Sequence, residues 1–188
     1  MPHQTDLFAD QPAIPGLQIA ADAIDPAWED ALADRIDAAP LEPFRFGQWT
    51  GKRLTAYYGS GYDFQRGRPQ SAPPLPEWLC DLRARLAPLF GIAPDALEQA
   101  LLIRYDPGAG IGWHRDRPQY GKVVGLSLGA PAVLRLRRRR PSGGFDRHEV
   151  PLAPRSAYLL SGEVREAWEH SIVPQELTRR SITFRTLR

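Results

Sequence analysis

A chain of 188 residues, 43% hydrophobic and 24% charged, has the balance of an ordinary globular protein and enough length to bury a core as one domain. Its single cysteine, Cys80, excludes an internal disulfide framework and a cysteine zinc cluster, and no leader pattern or bilayer-length apolar run is present, so a cytoplasmic protein without membrane attachment is expected. The formal charge is only +2, and arginine supplies every cation except Lys52 and Lys122, which fits a nucleic-acid partner and fits an arginine-rich composition equally well.

Residues 1–15, with Pro2, Pro12 and Pro15, read as a flexible N-terminal tail. Asp25-Pro26 supplies an N-cap followed by proline at the first helical position. Trp28, Leu32 and Ile36 then repeat with helical spacing up to Pro40. A second helix is expected from Pro76, with Trp78, Leu79, Leu82, Leu86 and Leu89 on its apolar face and Pro88 and Gly91 at its end. Between the two, residues 42–72 are rich in aromatics and glycine, which suits strands and turns better than helix. From residue 98 the text changes to short apolar or alternating runs: 100–105, 123–128, 132–138, 147–152, 156–160, 168–173 and 179–186. Turn chemistry such as Asp106-Pro107-Gly108 and Ser142-Gly143-Gly144 separates them. Many short, evenly spaced strands argue a barrel or double-sheet jelly roll. The expected architecture is a single α+β domain over 16–188, its helices in 16–97 supporting a β-rich 98–188.

Two of the four histidines point to chemistry. His114-Arg115-Asp116 would put two metal-capable side chains on one side of an extended strand. His170, on another expected strand, would complete two histidines and one carboxylate, the facial triad of non-haem Fe(II) oxygenases. A His-x-Asp alone is more often a surface hydrogen-bonded pair than a ligand set. His3 and His148 read as tail and hairpin surface. Context for the other two comes from the last strand, where Arg179, Ser181, Thr183 and Arg185 share one face and Ile182 and Phe184 the other. The polar face looks either at solvent, as in an exposed edge strand, or at an anion. If it looks inward beside the metal, two arginines could hold the two carboxylates of 2-oxoglutarate.

The run Arg104 to Asp116, with Val124 to Gly129, Pro154-Arg155-Ser156, Ser161-Gly162-Glu163, Trp168-Glu169-His170 and Arg179 to Arg185, resembles the AlkB-like 2-oxoglutarate/Fe(II) dioxygenases in order, spacing and chemistry. The likeness is strong over 98–188 and weaker upstream, where Tyr57-Tyr58-Gly59 resembles part of the family's substrate lid. It implies a double-stranded β-helix in which His114, Asp116 and His170 bind Fe(II). Tyr105 and Arg179 would contact the distal carboxylate of 2-oxoglutarate, and Arg185 would sit near its metal-bound end. It also implies oxidative chemistry: dioxygen is consumed, 2-oxoglutarate becomes succinate and CO2, and a hydroxylated N-alkyl group leaves as an aldehyde. A dry pocket is expected around Trp113, Leu126 and Trp168, with Ile111 in its wall. Two departures stand out: Ile103 replaces a family asparagine, and Pro118 replaces an acid with which DNA-repair members read a damaged base.

For the substrate, alkylated DNA or RNA is expected, with Trp49, Tyr57 and Tyr58, and also Tyr62, offering faces on which a base could stack. Arg135 and Arg137 to Arg140, with Arg66 and Arg68, could follow a phosphate backbone, although a solvated hairpin explains them as well. A protein or small-molecule hydroxylase of the same superfamily is the alternative, and a non-catalytic nucleic-acid-binding module is a further one. A monomer is expected.

Overall fold

The computed structural model describes residues 14–46, 48–63 and 68–188, without the side chains of Phe46, Trp49 and residues 60–63 and 68–71. The expected tail, and with it His3, lies outside the described residues up to residue 13. At its end Ile14 is buried, and the Pro15 carbonyl accepts the Val164 N–H at 3.1 Å.

Strand β1 (Leu17–Ala20) precedes helix α1 (Pro26–Asp37). The Asp25 carboxylate accepts the Trp28 N–H at 2.8 Å, and Pro26 opens the helix where its missing N–H costs nothing. Strands β2 (Glu42–Phe46), β3 (Trp49–Tyr58), β4 (Ser60–Asp63) and β5 (Arg68–Ser71) lead to α2 (Glu77–Leu86). Leu79, Leu82 and Leu86 are fully buried there. The helical periodicity does not carry to Leu89, because Ala87–Phe90 tightens into a 3₁₀ turn containing Pro88, and Leu89 is left 40% exposed. Gly91 ends that turn with φ of 62°, a conformation that favours glycine.

The second half runs β6 (Gln99–Tyr105), β7 (Ile111–His114), β8 (Tyr120–Gly129), β9 (Ala132–Arg139), β10 (Phe145–Leu152), β11 (Ala157–Leu160), α3 (Gly162–Ala167), β12 (Glu169–Ile172) and β13 (Arg179–Leu187). One sheet has the order β1-β11-β8-β13-β6-β3-β2, and a second has β10-β9-β12-β7. From β6 onward the chain shuttles between the two, and it pairs antiparallel at each contact, giving the double-stranded β-helix. The aromatic segment is part of this framework, since β3 pairs with β6 and extends the large sheet. Among the described residues, no helix is long and apolar enough to cross a membrane.

Period two sorts the large sheet into two interiors. Ala100, Leu102, Leu126, Ile182 and Phe184 point outward and form one core with Leu32 and Ile36 of α1 and the three buried leucines of α2. Their neighbours in sequence, including Leu101, Ile103, Val123 and Thr183, point inward at the small sheet, whose Leu134 and Ile172 face them across a pocket. A strand with both faces covered has no solvent side, so β13 is buried at every position from Ile182 to Arg185.

Truncating Phe184 to alanine removes a fully buried ring from the helix-side core and is expected to cost about 3–5 kcal/mol. Asp25→Ala, which only frees one helix N–H at the surface, should cost about 1 kcal/mol. Urea denaturation of both variants checks the order, and equal losses would mean that the two-interior division is wrong.

Candidate metal centre

The inward faces enclose a pocket of about 130 Å³, and His114, Asp116 and His170 lie together on its wall. One potential ligand atom from each falls within 4.8 Å of the others. His170 on β12 is the direct cross-strand partner of His114 on β7. The next pairing joins Ile172 to Ile111, so β7 carries one residue more than β12 over this stretch. Such a bulge re-aims side chains. Here Ile111 and His114 both line the pocket, while Trp113 lines the outer groove instead. The expectation of one extended strand carrying His-x-Asp is therefore corrected: β7 ends at His114, and Asp116 follows in the loop. Asp116 is held from across the molecule, because Arg185 Nε donates to its Oδ2 at 3.1 Å.

His114 Nδ1 lies 2.9 Å from the Gly112 carbonyl. A carbonyl can only accept, so Nδ1 carries the proton and Nε2 presents its lone pair. That Nε2 is 3.9 Å from Asp116 Oδ1, too far for a hydrogen bond, which leaves both atoms available. Burial pushes His170 down to about 3, helped by the charge of His114, and burial also lowers His114. For Asp116 burial acts the other way, but the Arg185 guanidinium and the two histidines outweigh it and hold the carboxyl well below the usual range. Near neutral pH the site is two neutral imidazoles and a carboxylate, the protonation state in which these groups bind a cation.

Deeper in the pocket stands the polar face of β13. Arg179 is 1% exposed, Ser181 3%, Thr183 5% and Arg185 7%, so the solvent-edge reading of this strand falls away. Arg179 Nε donates to Ser127 Oγ at 3.2 Å, and its guanidinium lies 5.1 Å from the ring of Tyr105, its register partner. Its Nη1 is buried with no partner. A buried guanidinium with an open donor is costly unless an anion completes it, which is the fit expected for a carboxylate of 2-oxoglutarate. Arg185 is committed differently, since its Nη1 donates to Gln99 Oε1 at 2.8 Å while Nε holds Asp116. The second contact puts it beside the potential metal ligands.

The remaining expectations divide. Tyr105 and Tyr57 line the pocket. Tyr58, one residue on, packs on the helix-side core and is not among the residues that line the pocket. The Trp49 side chain lies outside the described residues, as do Phe64, Arg66 and the side chains of Tyr62 and Arg68. The apolar lining expected from Trp113, Leu126 and Trp168 is corrected: Leu126 belongs to the helix-side core, Trp168 to the core beside the small sheet, and Trp113 to the outer groove. Leu101, Ile103, Val123, Leu134 and Ile172 supply it instead. His148 is half-buried on the edge strand and joins no group of potential ligands among the described residues. The hairpin arginines are largely engaged within the chain: Arg137 with Glu169 at 2.6 Å, Arg138 with Glu163 at 2.7 Å, and Arg140 with Asp146 at 3.3 Å. Arg135 and Arg137 also lie over the Trp113 ring.

Sequence reasoning missed Gln99, Ser127, Arg53 and Tyr158. Ser127 stood out as one hydroxyl between Leu126 and Leu128, a signal that could have been used. Arg53 carried none, because its place above the Phe44 ring, at 3.8 Å, depends on the pairing of β2 with β3.

Two imidazoles and one carboxylate leave open coordination positions on a bound ion, and an acid-seeking arginine shares the cavity, which is the class of non-haem Fe(II) oxygenases. The sequence profile of the 2OG-Fe(II) oxygenase superfamily matches residues 43–185, and the chain belongs to that family. It is a dioxygenase of the AlkB-like kind, with Fe(II) and 2-oxoglutarate as the family's cofactor and cosubstrate. Among its relatives is the tRNA (carboxymethyluridine(34)-5-O)-methyltransferase alkbh8 of Xenopus tropicalis, 29% identical over 86% of this chain. The matched part is only 26% of that protein. The alpha-ketoglutarate-dependent dioxygenase AlkB of Escherichia coli (strain K12) is 29% identical over 77% of this chain and 74% of its own length. The solved structure of OsALKBH1 superposes with a TM-score of 0.68 at 15% identity, covering 94% of this chain and all 100% of that one, a likeness of fold.

The protonation states make the metal-free protein acid-sensitive. Unfolding releases His170 to its ordinary value near 6.5 from about 3, so the unfolded chain takes up a proton first. Stability should fall as pH drops from about 6.5 toward 3, with Asp116 adding to the loss below about 4. Urea midpoints across that range should decline less in His170→Gln, and parallel declines would place the sensitivity elsewhere.

Proposed function

We propose that this dioxygenase removes alkyl groups from nucleic-acid bases by oxidation. In this reading His114, Asp116 and His170 hold Fe(II), and Tyr105, Arg179 and Arg185 serve 2-oxoglutarate. The observation that carries the substrate is the groove of about 840 Å³ into which the pocket opens. Phe44, Arg53, Trp113, Arg115, Arg117 and Arg188 line it, an interleaving of aromatic faces and guanidiniums. A base taken out of its stack needs a ring to lie against, and the phosphates on either side need cations. The names of the two relatives, one a tRNA-modifying enzyme and one AlkB, support this class of substrate. Pro118 also lines the groove, where an acid would read an exocyclic amine, so recognition of the base would rest on shape and stacking. The reading places the enzyme in the reducing cytoplasm, where Cys80 stays a thiol.

When bound, Fe(II) and 2-oxoglutarate supply an oxidation driven by O2, in which a substrate C–H becomes C–OH and 2-oxoglutarate leaves as succinate and CO2. The chain's own residues prepare that event. Gly112 fixes the His114 tautomer, and Arg185 holds Asp116 so that Oδ1 faces His114. Arg179 would take the distal carboxylate through its open Nη1, with Ser127 steadying its Nε. Leu101, Ile103 and Leu134 give the cavity an apolar lining, which would strengthen each of these charged contacts. Arg53 and Phe44 stand where the cavity meets the groove and would position the substrate base. If the oxidised carbon is attached to nitrogen, the product collapses and formaldehyde leaves.

Protein reconstituted anaerobically with Fe(II) is assayed for succinate and formaldehyde with methylated single-stranded DNA, methylated RNA and no nucleic acid. Formaldehyde only with a nucleic acid is the expected result. Succinate without formaldehyde would overturn dealkylation and favour a hydroxylase of another substrate. His114→Ala should abolish succinate formation while the melting temperature stays close to that of the parent; retained turnover would remove the triad. His114 is the cleaner variant, since losing Asp116 would leave the Arg185 guanidinium buried beside Gln99 alone.

A further inference from the structure

Strand β3 brings Arg53, Thr55 and Tyr57 to the pocket at every second position, and of these Arg53 alone also lines the outer groove. Its seat is made by an irregularity in the sheet. Between the pairs Pro43–Leu54 and Arg45–Thr50, β2 has one residue, Phe44, and β3 has three, Gly51 to Arg53. A bulge of this kind re-aims side chains. Here the Arg53 guanidinium comes to lie 3.8 Å from the centre of the Phe44 ring. A guanidinium over a ring uses its face there, while its N–H donors point outward in its own plane.

Among the described residues, pocket and groove carry three carboxylates, and an arginine of the chain holds each one. Arg185 holds Asp116 at 3.1 Å, Arg137 holds Glu169 at 2.6 Å, and Arg188 holds Glu166 at 2.6 Å. Guanidiniums are more numerous: Arg53, Arg115, Arg117, Arg165 and Arg188 all line the groove. Arg115 donates to the Glu166 carbonyl, and Arg165 donates to those of Arg117 and Tyr120. The charges that act on Arg53 are those of the Tyr105 and Tyr57 phenols, with no carboxylate among them. The mouth therefore presents donors and positive charge to whatever enters, and its carboxylate acceptors are engaged. The Tyr57 hydroxyl can donate or accept, so it does not discriminate.

Shape and stacking admit any base of fitting size, so the choice among bases falls to hydrogen-bond direction and charge. N3-alkylated thymine or uracil is neutral, with a carbonyl oxygen on either side of the alkylated nitrogen. N1-alkylated guanine is neutral, with one such oxygen. N1-alkylated adenine and N3-alkylated cytosine are cations that carry an exocyclic nitrogen beside the alkylated position. An arginine only donates, and it repels a like charge.

We infer that Arg53, seated on Phe44, makes the enzyme select neutral oxo bases, N3-alkylated thymine or uracil and N1-alkylated guanine, by donating to the carbonyl oxygen beside the alkylated nitrogen. This deepens the reading in which the enzyme dealkylates nucleic-acid bases, and it rests on that reading. Arg53 is then a specificity-determining residue.

The protein, loaded anaerobically with Mn(II) and 2-oxoglutarate, is titrated with fluorescent single-stranded oligonucleotides identical except for one base. That base is 3-methylthymine, 1-methylguanine, 3-methylcytosine or 1-methyladenine. The same four are then offered to the Fe(II) enzyme in air, and formaldehyde is measured. The parent is expected to bind the two oxo bases about tenfold tighter than the two amino bases, the effect of one hydrogen bond from a charged donor. Arg53→Ala should bring the four to similar affinities, and Arg53→Glu, which exchanges a donor for an acceptor, should reverse the order. Each comparison is a ratio within one protein, so a smaller folded fraction in a variant does not alter it. Equal or tighter binding of the amino bases by the parent overturns the inference. So does a preference that survives in Arg53→Ala, or a loss there that is equal for all four, which would assign Arg53 to the phosphates. Formaldehyde from none of the four would overturn dealkylation itself, a distinct result.

Discussion

Arg185 and Asp116, each with a side chain only 9% exposed, come from opposite ends of the catalytic half of the chain and meet inside the protein. Withdrawing either charge from water costs several kcal/mol, and the pair is tolerable only because each answers the other and Gln99 takes a further N–H. The consequences reach well beyond the pair. The loop after β7 has no strand of its own to hold Asp116, so the last strand of the protein fixes that carboxylate in space. The same contact keeps the carboxyl ionised despite burial and leaves Oδ1 toward His114. Lost pairing would therefore disturb ligand geometry, ligand protonation and the closure of the β-helix together.

Arg179 is the counterpart built in the opposite way. It lies on the same face of the same strand, more deeply buried, yet no carboxylate pairs with it among the described residues and one nitrogen has no partner. An unsatisfied guanidinium is a cost that a bound anion would remove, so stability and anion binding would be linked through this residue. Where Arg185 is answered by Asp116 and Gln99, Arg179 keeps one donor open. The two arginines differ only in what the tertiary structure brings opposite them.

Cationic side chains elsewhere also serve two purposes. On the outer face of the small sheet, Arg135 and Arg137 lie over Trp113, while Glu163, Glu169 and Asp146 pair with the arginines around them. These contacts build a wall in which Arg137, Arg138 and Arg140 are paired with carboxylates. At the mouth Arg53 lies over Phe44, and burial lowers its ionisation.

What could be read from the residues alone was whatever depends on local rules. The Asp25 cap, the leucines of α2, the runs that became β6 and β8 to β13, and the grouping of the polar residues on one face of β13, though not the direction in which that face looks, all follow from spacing and from the cost of exposing or burying particular side chains. His114, Asp116 and His170 were legible because few chemistries use that combination. Tertiary structure alone decided the rest. It set the bulge that turns His114 inward and Trp113 outward, the end of β7 before Asp116, the opposite fates of Tyr57 and Tyr58, and the seating of Arg53 on Phe44. Each of these depends on which strand lies beside which and in what register, and a one-residue shift of register exchanges the two faces of a strand. The sequence by itself determined which groups could do the chemistry; the pairing of distant strands determined which of them face one another across the cavity.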